Sequence, residues 1–162
     1  MKILVVSDTH KNYQALKAVV DKVDFDILVH LGDGEHEFND IRRLYPDKGM
    51  IYVGGNCDYG QHELSHVAKI GGVKIFCCHG HTFGVHDGLE HLAAAAKQEG
   101  CNVALFGHTH LHRTDKIDGV LMMNPGSLDS PRGKNKPSFG IINIGSDGEI
   151  KMNILAVSTN RV

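Results

Sequence analysis

No stretch of this 162-residue sequence is apolar for long enough to cross a membrane. After Lys2 only Ile3 to Val6 form an apolar run, too short for the core of a secretion signal. An excess of either charge is also missing. The 17 Lys and Arg residues stand against 19 Asp and Glu, a formal net charge of −2, which argues against a broad surface for duplex nucleic acid or anionic membrane. Cysteine is scarce, and Cys57, Cys77, Cys78 and Cys101 show no C-x-x-C spacing, so neither a disulfide scaffold nor a Cys-rich structural zinc site is expected. Reduced thiols and a cytoplasmic location are the corresponding expectations. Proline is rare as well, and three of the four fall at Pro125, Pro131 and Pro137, within one loop that also holds Arg132, Lys134 and Lys136. No linker or internal repeat interrupts the chain, so residues 1–162 are expected to form one domain, large enough to fold without a disulfide or a structural metal.

The unusual abundance is histidine, with 12 residues and no tag-like cluster. Short apolar runs place them. Ile3 to Val6, Ile27 to Leu31, Met50 to Val53, a hairpin from Leu64 to Cys78 turning at Gly71-Gly72, and Val103 to Phe106 read as strands. Between them, Asn12 is expected to cap a helix carrying Tyr13, Leu16, Val20 and Val23 on one stripe. A second helix carries Phe38, Ile41 and Leu44, and Asp87 with Glu90 resembles a capping box for a third, which ends at Gly100. The four strands expected after His112 read as antiparallel sheet. Early βα units and late hairpins together predict a single α/β domain with mixed sheets.

Five of these runs stop in the same way, with Asp, Asn or His beside a turn: Asp8 with His10, Asp33, Asn56 with Asp58, His79 with His81, and His108 with His110. Strand C-termini in an open α/β sheet meet at one edge, so these side chains are expected to share a site. Imidazole, carboxylate and amide oxygens without thiolate suit divalent manganese, iron, nickel, zinc or magnesium. Seven or eight such groups are too many for one ion and suit two, held by a bridging carboxylate and a bridging hydroxide. The residual positive charge of such a centre favours an anionic substrate, and phosphoester hydrolysis is the reaction it fits.

The ordered set Asp8-x-His10, Gly32-Asp33, Gly55-Asn56-Cys57-Asp58, His79-Gly80-His81 and Gly107-His108-Thr109-His110 resembles the calcineurin-like metallophosphoesterase family. The G-N-C-D variant and Asn124-Pro125-Gly126-Ser127 are most similar to its small prokaryotic phosphodiesterase subgroup. The resemblance implies a β-sandwich of two mixed sheets flanked by helices in four α/β/β/α layers. It also implies two divalent ions, manganese before nickel, iron, zinc or magnesium. Asp8, His10, Asp33 and His110 would hold one ion, and Asp33, Asn56, His79 and His108 the other, with Asp33 bridging. Asn56, Cys57, Asp58 and His81 are the candidate catalytic groups, with Asp58 read as support for the loop and not as a ligand. Arg132 and His112 are the candidates for substrate binding.

Many monoesterases of the family carry histidine where this chain has Cys57. A neutral thiol donates protons poorly, so the expected substrates are small phosphodiesters or activated esters. A non-catalytic interaction scaffold of the same fold, a phosphomonoesterase and a nuclease are the alternatives, and a homo-oligomer stays open. His30 is expected to be a satisfied interior residue, His62 and His66 to lie on a strand, and His36, His86 and His91 to face solvent.

Overall fold

The computed structural model describes residues 1–158. Its first sheet begins with three parallel strands, β1 (Lys2–Val6), β2 (Ile27–His30) and β3 (Gly49–Tyr52), joined by helices α1 (Tyr13–Lys22) and α2 (Glu35–Leu44). The second sheet starts with the hairpin β4 (Ser65–Ile70) and β5 (Val73–Cys78), turning at Gly71 and Gly72, both at positive φ. Helix α3 (Glu90–Gln98) then leads to β6 (Val103–Leu105), parallel to β5.

The late strands do not form one antiparallel sheet. Hairpin β7 (Arg113–Ile117) and β8 (Val120–Asn124) joins the second sheet, with β8 parallel to β6. Hairpin β9 (Ser138–Ile144) and β10 (Ile150–Ala156) instead crosses to the first sheet, where β9 runs antiparallel to β1. The orders are β10-β9-β1-β2-β3 and β4-β5-β6-β8-β7, so both sheets are mixed.

The period-two alternation of side chains in each central strand creates the layers. Ile3 and Val5 of β1 meet Ile75 and Cys77 of β5 and Val103 and Leu105 of β6 between the sheets. Their neighbours Leu4 and Val6 turn outward onto Leu16, Val20, Phe38 and Ile41 of α1 and α2. On the far side, Phe76 and Cys78 meet Leu92, Ala93 and Ala96 of α3. The result is the four-layer α/β/β/α sandwich, and adjacent Cys77 and Cys78 serve two different cores.

Asn12 caps α1 as expected, its side chain accepting from the Ala15 N–H at 3.0 Å. The capping box at α3 does not form. Leu89 is the N-cap and is buried, while the Asp87 N–H bonds the Gly84 carbonyl. Burial of Leu89 sets where this helix begins. Leu44 also departs from the expected stripe, since the last residue of α2 is half exposed.

Candidate metal centre

Strands β1, β2 and β3 of one sheet and β5 and β6 of the other end at the same edge of the sandwich. The loops beyond them are tied directly to each other. The Asp8 N–H bonds the Gly32 carbonyl at 3.0 Å, the His10 N–H bonds the Asp33 carbonyl at 2.9 Å, and the Gly107 N–H bonds the His79 carbonyl at 2.8 Å. Close approach depends on glycine at two points. A Cβ on Gly55 would overlap Asp33 Oδ1, and one on Gly107 would overlap the Ser7 hydroxyl.

Both aspartates divide their oxygens between scaffold and site. Asp8 Oδ2 accepts from the Ser7 hydroxyl at 2.6 Å and from the His108 N–H at 3.0 Å. Its Oδ1 is buried without a hydrogen-bond partner and lies 3.2 Å from His110 Nε2, 3.6 Å from His10 Nε2 and 3.8 Å from His79 Nε2. Asp33 Oδ1 accepts from the Cys57 N–H at 2.8 Å, which leaves Oδ2 at 3.3 Å from His79 Nε2 and 3.9 Å from His10 Nε2. Two histidines are aimed by backbone carbonyls. His79 Nδ1 bonds the Leu31 carbonyl and His110 Nδ1 the Ser130 carbonyl, each at 2.7 Å. Carbonyls only accept, so these bonds place a proton on Nδ1 and turn Nε2 towards the aspartates, the atom that is free to ligate a cation once it carries no proton.

The donor atoms fall into overlapping groups within 4.8 Å: Asp8, His10 and His110; Asp8, Asp33 and His79; and His10, Asp33 and Cys57. Five of the seven expected ligands therefore converge. Asn56 is exposed, with its amide bonded to Cys57 Sγ at 3.5 Å. His108 packs edge-on against His79, with ring centroids 5.1 Å apart, and stands outside the tight groups.

The electrostatics agree with a cation site. Burial pushes the Asp8 carboxyl up, but the close imidazoles of His10, His110 and His79 and the Ser7 hydroxyl outweigh it and hold the group far below the usual carboxylate range. Asp33 is lowered in the same sense, its burial outweighed by His79 and the Cys57 N–H. The neighbouring Asp8 carboxylate raises His10, whereas burial and the charge on His79 bring His108 down to about 4. Two buried aspartates stay ionised here, with imidazoles as the neighbouring cationic groups and the Ser7 hydroxyl and the His108 and Cys57 N–H groups as their other donors.

Backbone geometry marks the same residues. Asp8, His10, Asp33, His108 and His110 all have φ between 41° and 70°, a region that bulky side chains avoid. Asp118, in the tight β7–β8 turn, and Lys11 are the only other described non-glycine residues there. Strain concentrated on one cluster is characteristic of a functional site.

The remaining candidates take different places. Asp58 accepts from the Gly55 and Asp33 N–H groups at 2.7 and 3.1 Å and from the Tyr52 hydroxyl at 2.6 Å through Oδ2, and from the Gly34 N–H at 3.2 Å through Oδ1. Its carboxylate is committed to shaping the Asp33 and Asn56 loops. His81 is half-buried, with Nδ1 lacking a partner. Arg132 is exposed, its N–H bonded to the His110 carbonyl at 3.0 Å, and His112 is exposed.

One histidine departs from its expected setting, and another has an unexpected neighbour. His62 lies before β4 and bonds Glu35 Oε2 at 2.7 Å. His86 is exposed as expected, yet its ring meets that of His108 at 4.8 Å.

Sequence reasoning did not foresee the clamp formed by Asn124 and Ser127. The Asn124 side chain donates to the Gly107 carbonyl and Thr109 hydroxyl, both at 3.0 Å, while the Ser127 hydroxyl donates to the Asp8 carbonyl at 2.7 Å. The Asn-Pro-Gly-Ser element was the only signal for it.

His30 is an interior residue, as expected. It is fully buried, accepts from the Gly32 N–H at 3.1 Å and meets the Thr9 hydroxyl at 2.9 Å, which itself donates to Glu37. Burial foremost brings its pKa down to about 4, against the pull of Asp8 and Asp58. The unfolded chain, with histidine near 6.5, therefore binds the extra proton between these values. Stability present above pH 6.5 is lost as the pH falls towards 4, by about 3 kcal/mol from this residue. Denaturant titrations of metal-free protein at pH 7, 5.5 and 4.5 should show a shallower pH dependence for His30→Gln than for wild type. Equal slopes would remove His30 from the account.

Comparison with known proteins agrees with this geometry. Residues 1–147 match the calcineurin-like phosphoesterase superfamily domain. A probable metallophosphoesterase of Bacillus subtilis, YsnB, is 31% identical over 91% of this chain and 86% of its own. Phosphodiesterase YfcE of Escherichia coli K12 is 34% identical over 88% and 87%. Among solved structures, a predicted phosphoesterase from Streptococcus pneumoniae superposes with a TM-score of 0.82 at 28% identity, covering 98% of this chain and 93% of its own. Vps29 from Entamoeba histolytica, solved with zinc, shares the fold at TM-score 0.75 and 24% identity over 96% and 98%. By its sequence match, its two mixed sheets and the cluster at their shared edge, the chain belongs to the calcineurin-like phosphoesterase superfamily.

Proposed function

We propose that this chain is a phosphodiesterase with a binuclear metal centre, acting on small phosphodiesters or activated phosphoesters. The observation that carries the reading is the pair of buried, unpartnered atoms Asp8 Oδ1 and His79 Nε2, which face each other at 3.8 Å amid further carboxylate and imidazole donors. An orphaned buried carboxylate oxygen is costly, and a divalent cation is the partner this donor set fits. Asp8, His10, Asp33 and His110 would hold one ion and Asp33, Asn56, His79 and His108 the other, with manganese favoured. Bound there, the ions supply Lewis acidity to the phosphoryl oxygens and a water acidified enough to act as nucleophile at neutral pH.

The chain's own residues bias the substrate. Arg132, exposed beside the His110 loop, can offer its guanidinium to a non-bridging phosphate oxygen. Proton donors for the departing oxygen are weak. Burial and the charge of Asp33 push the Cys57 thiol up, and burial with His79 pushes His81 down, so both are neutral at pH 7 and His81 carries no acidic proton to give. Such a site favours leaving groups that are stable as anions. Asp58 acts as a positioning residue. A scaffold role, as the shared Vps29 fold allows, would not require the ligand pattern to be complete, and here every ligand position of the pattern is filled.

The test combines metal content with turnover. Protein loaded with manganese is expected to carry two ions per chain and to hydrolyse bis(p-nitrophenyl) phosphate in preference to p-nitrophenyl phosphate, with a chelator abolishing both activities. Fewer than one ion per chain, or no metal-dependent turnover across monoesters, diesters and cyclic nucleotides, would refute the proposal.

A further inference from the structure

A recess of about 140 Å³ opens from the metal centre towards the start of α2, and its lining runs from His10, Asp33 and Cys57 to Lys11, His36 and Tyr59. His10, Asp33 and Cys57 also form one of the tight donor groups, so the recess adjoins the proposed metal site. Its far side is unusual. Tyr59 is 93% exposed, among the most exposed large side chains of the molecule, and His36 is exposed beside the same space.

The segment carrying Tyr59 is nevertheless fixed on both sides. Before it, Asp58 binds the Gly34, Asp33 and Gly55 N–H groups and the Tyr52 hydroxyl. After it, the Gly60 N–H and the His62 ring both bond Glu35 Oε2, at 3.0 and 2.7 Å. A backbone held this tightly presents an aromatic face without ordering a loop on binding, which is the condition for a preorganised contact. The size is informative too, because a cavity of roughly 150 Å³ takes one benzene ring.

We infer that this recess is a subsite for one ester arm of the substrate, and that it selects an arm bearing a single planar six-membered ring, an aryl or pyrimidine group, stacked on Tyr59. The inference rests on the phosphodiesterase reading and refines it. Two planar side chains, Tyr59 and His36, in the lining of a ring-sized space beside the proposed metal site favour a flat arm over a puckered one, since offset stacking contributes about 0.5 to 1.5 kcal/mol beyond the area buried.

Phenyl methylphosphonate and cyclohexyl methylphosphonate carry the same charge and a six-membered ring each, and differ in planarity. Their inhibition constants are measured in competition with bis(p-nitrophenyl) phosphate on manganese-loaded protein. Wild type is expected to prefer the phenyl ester by roughly three- to ten-fold. Tyr59→Phe should keep that preference and Tyr59→Ala should lose it, with metal content unchanged in both. Equal inhibition by the two esters, inhibition by neither, or an undiminished preference in Tyr59→Ala overturns the subsite while turnover of bis(p-nitrophenyl) phosphate still stands. Absence of that turnover refutes the phosphodiesterase reading itself.

Discussion

Asp33→Asn is expected to lower kcat/KM for phosphodiesters by at least about 10³-fold, roughly 4 kcal/mol of transition-state stabilisation, and to leave a folded domain. The structure separates the two effects because Asp33 uses different oxygens for each. Oδ1 accepts from the Cys57 N–H, an acceptor that asparagine retains, so the loop geometry survives. Oδ2 faces His79 and His10, and an amide nitrogen placed there offers hydrogens where an electron pair is needed. Elemental analysis should show loss of both ions, since Asp33 is the proposed bridge. Thermal unfolding of the metal-free variant should stay cooperative, because the three apolar clusters include no residue of the site. A variant that retains two ions, or turnover within ten-fold of wild type, would contradict the bridging role.

Cys57→His is expected to raise the ratio of monoester to diester turnover by about ten- to a hundred-fold, at or below the lower end of the roughly 10²- to 10⁴-fold that a positioned general acid contributes. Cys57 is exposed, so the larger ring has room, and its backbone N–H remains bound to Asp33. Its sulfur already lies within 4.8 Å of donor atoms of His10 and Asp33, at the edge where a departing oxygen would need a proton. A diester with an activated leaving group gains little from such a donor, whereas an alkyl monoester gains most. Steady-state kinetics on matched monoester and diester substrates, at equal metal content, provide the measure. An unchanged ratio would show that position 57 does not protonate the leaving group.

Much of this architecture was readable in advance, for physical reasons. Ile3 to Val6 and Val103 to Leu105 are buried on both faces, so their sequences are continuously apolar and end abruptly where the chain leaves the sheet. That abrupt ending also made Asp8, Asp33, His79 and His108 visible as a set. What escaped was governed by contacts distant in sequence. Whether β9 joins β8 or β1 depends on pairing across more than a hundred residues, and no local pattern records it. The Asp87 and Glu90 spacing satisfied a capping rule, but burial of Leu89 decided the helix start. His86 reads as an ordinary surface residue because only the fold brings it to His108. Left-handed backbone at Asp8, His10, Asp33, His108 and His110 is not readable position by position, since aspartate and histidine tolerate that region better than most side chains yet occupy it only in a small minority of cases.

Those left-handed residues bear on how the protein can evolve. Each holds a side chain where glycine would relax the backbone, at a cost on the order of 1 kcal/mol per position. In a lineage that no longer used the site, glycine at Asp8, Asp33 or His110 would relax the backbone but lose the bonds to the Ser7 hydroxyl and His108 N–H, to the Cys57 N–H and to the Ser130 carbonyl, whereas glycine at His108 would lose no side-chain hydrogen bond of the described residues. Of the five, His108 would be the first to erode, and the two buried aspartates, which also hold the loops together, among the last.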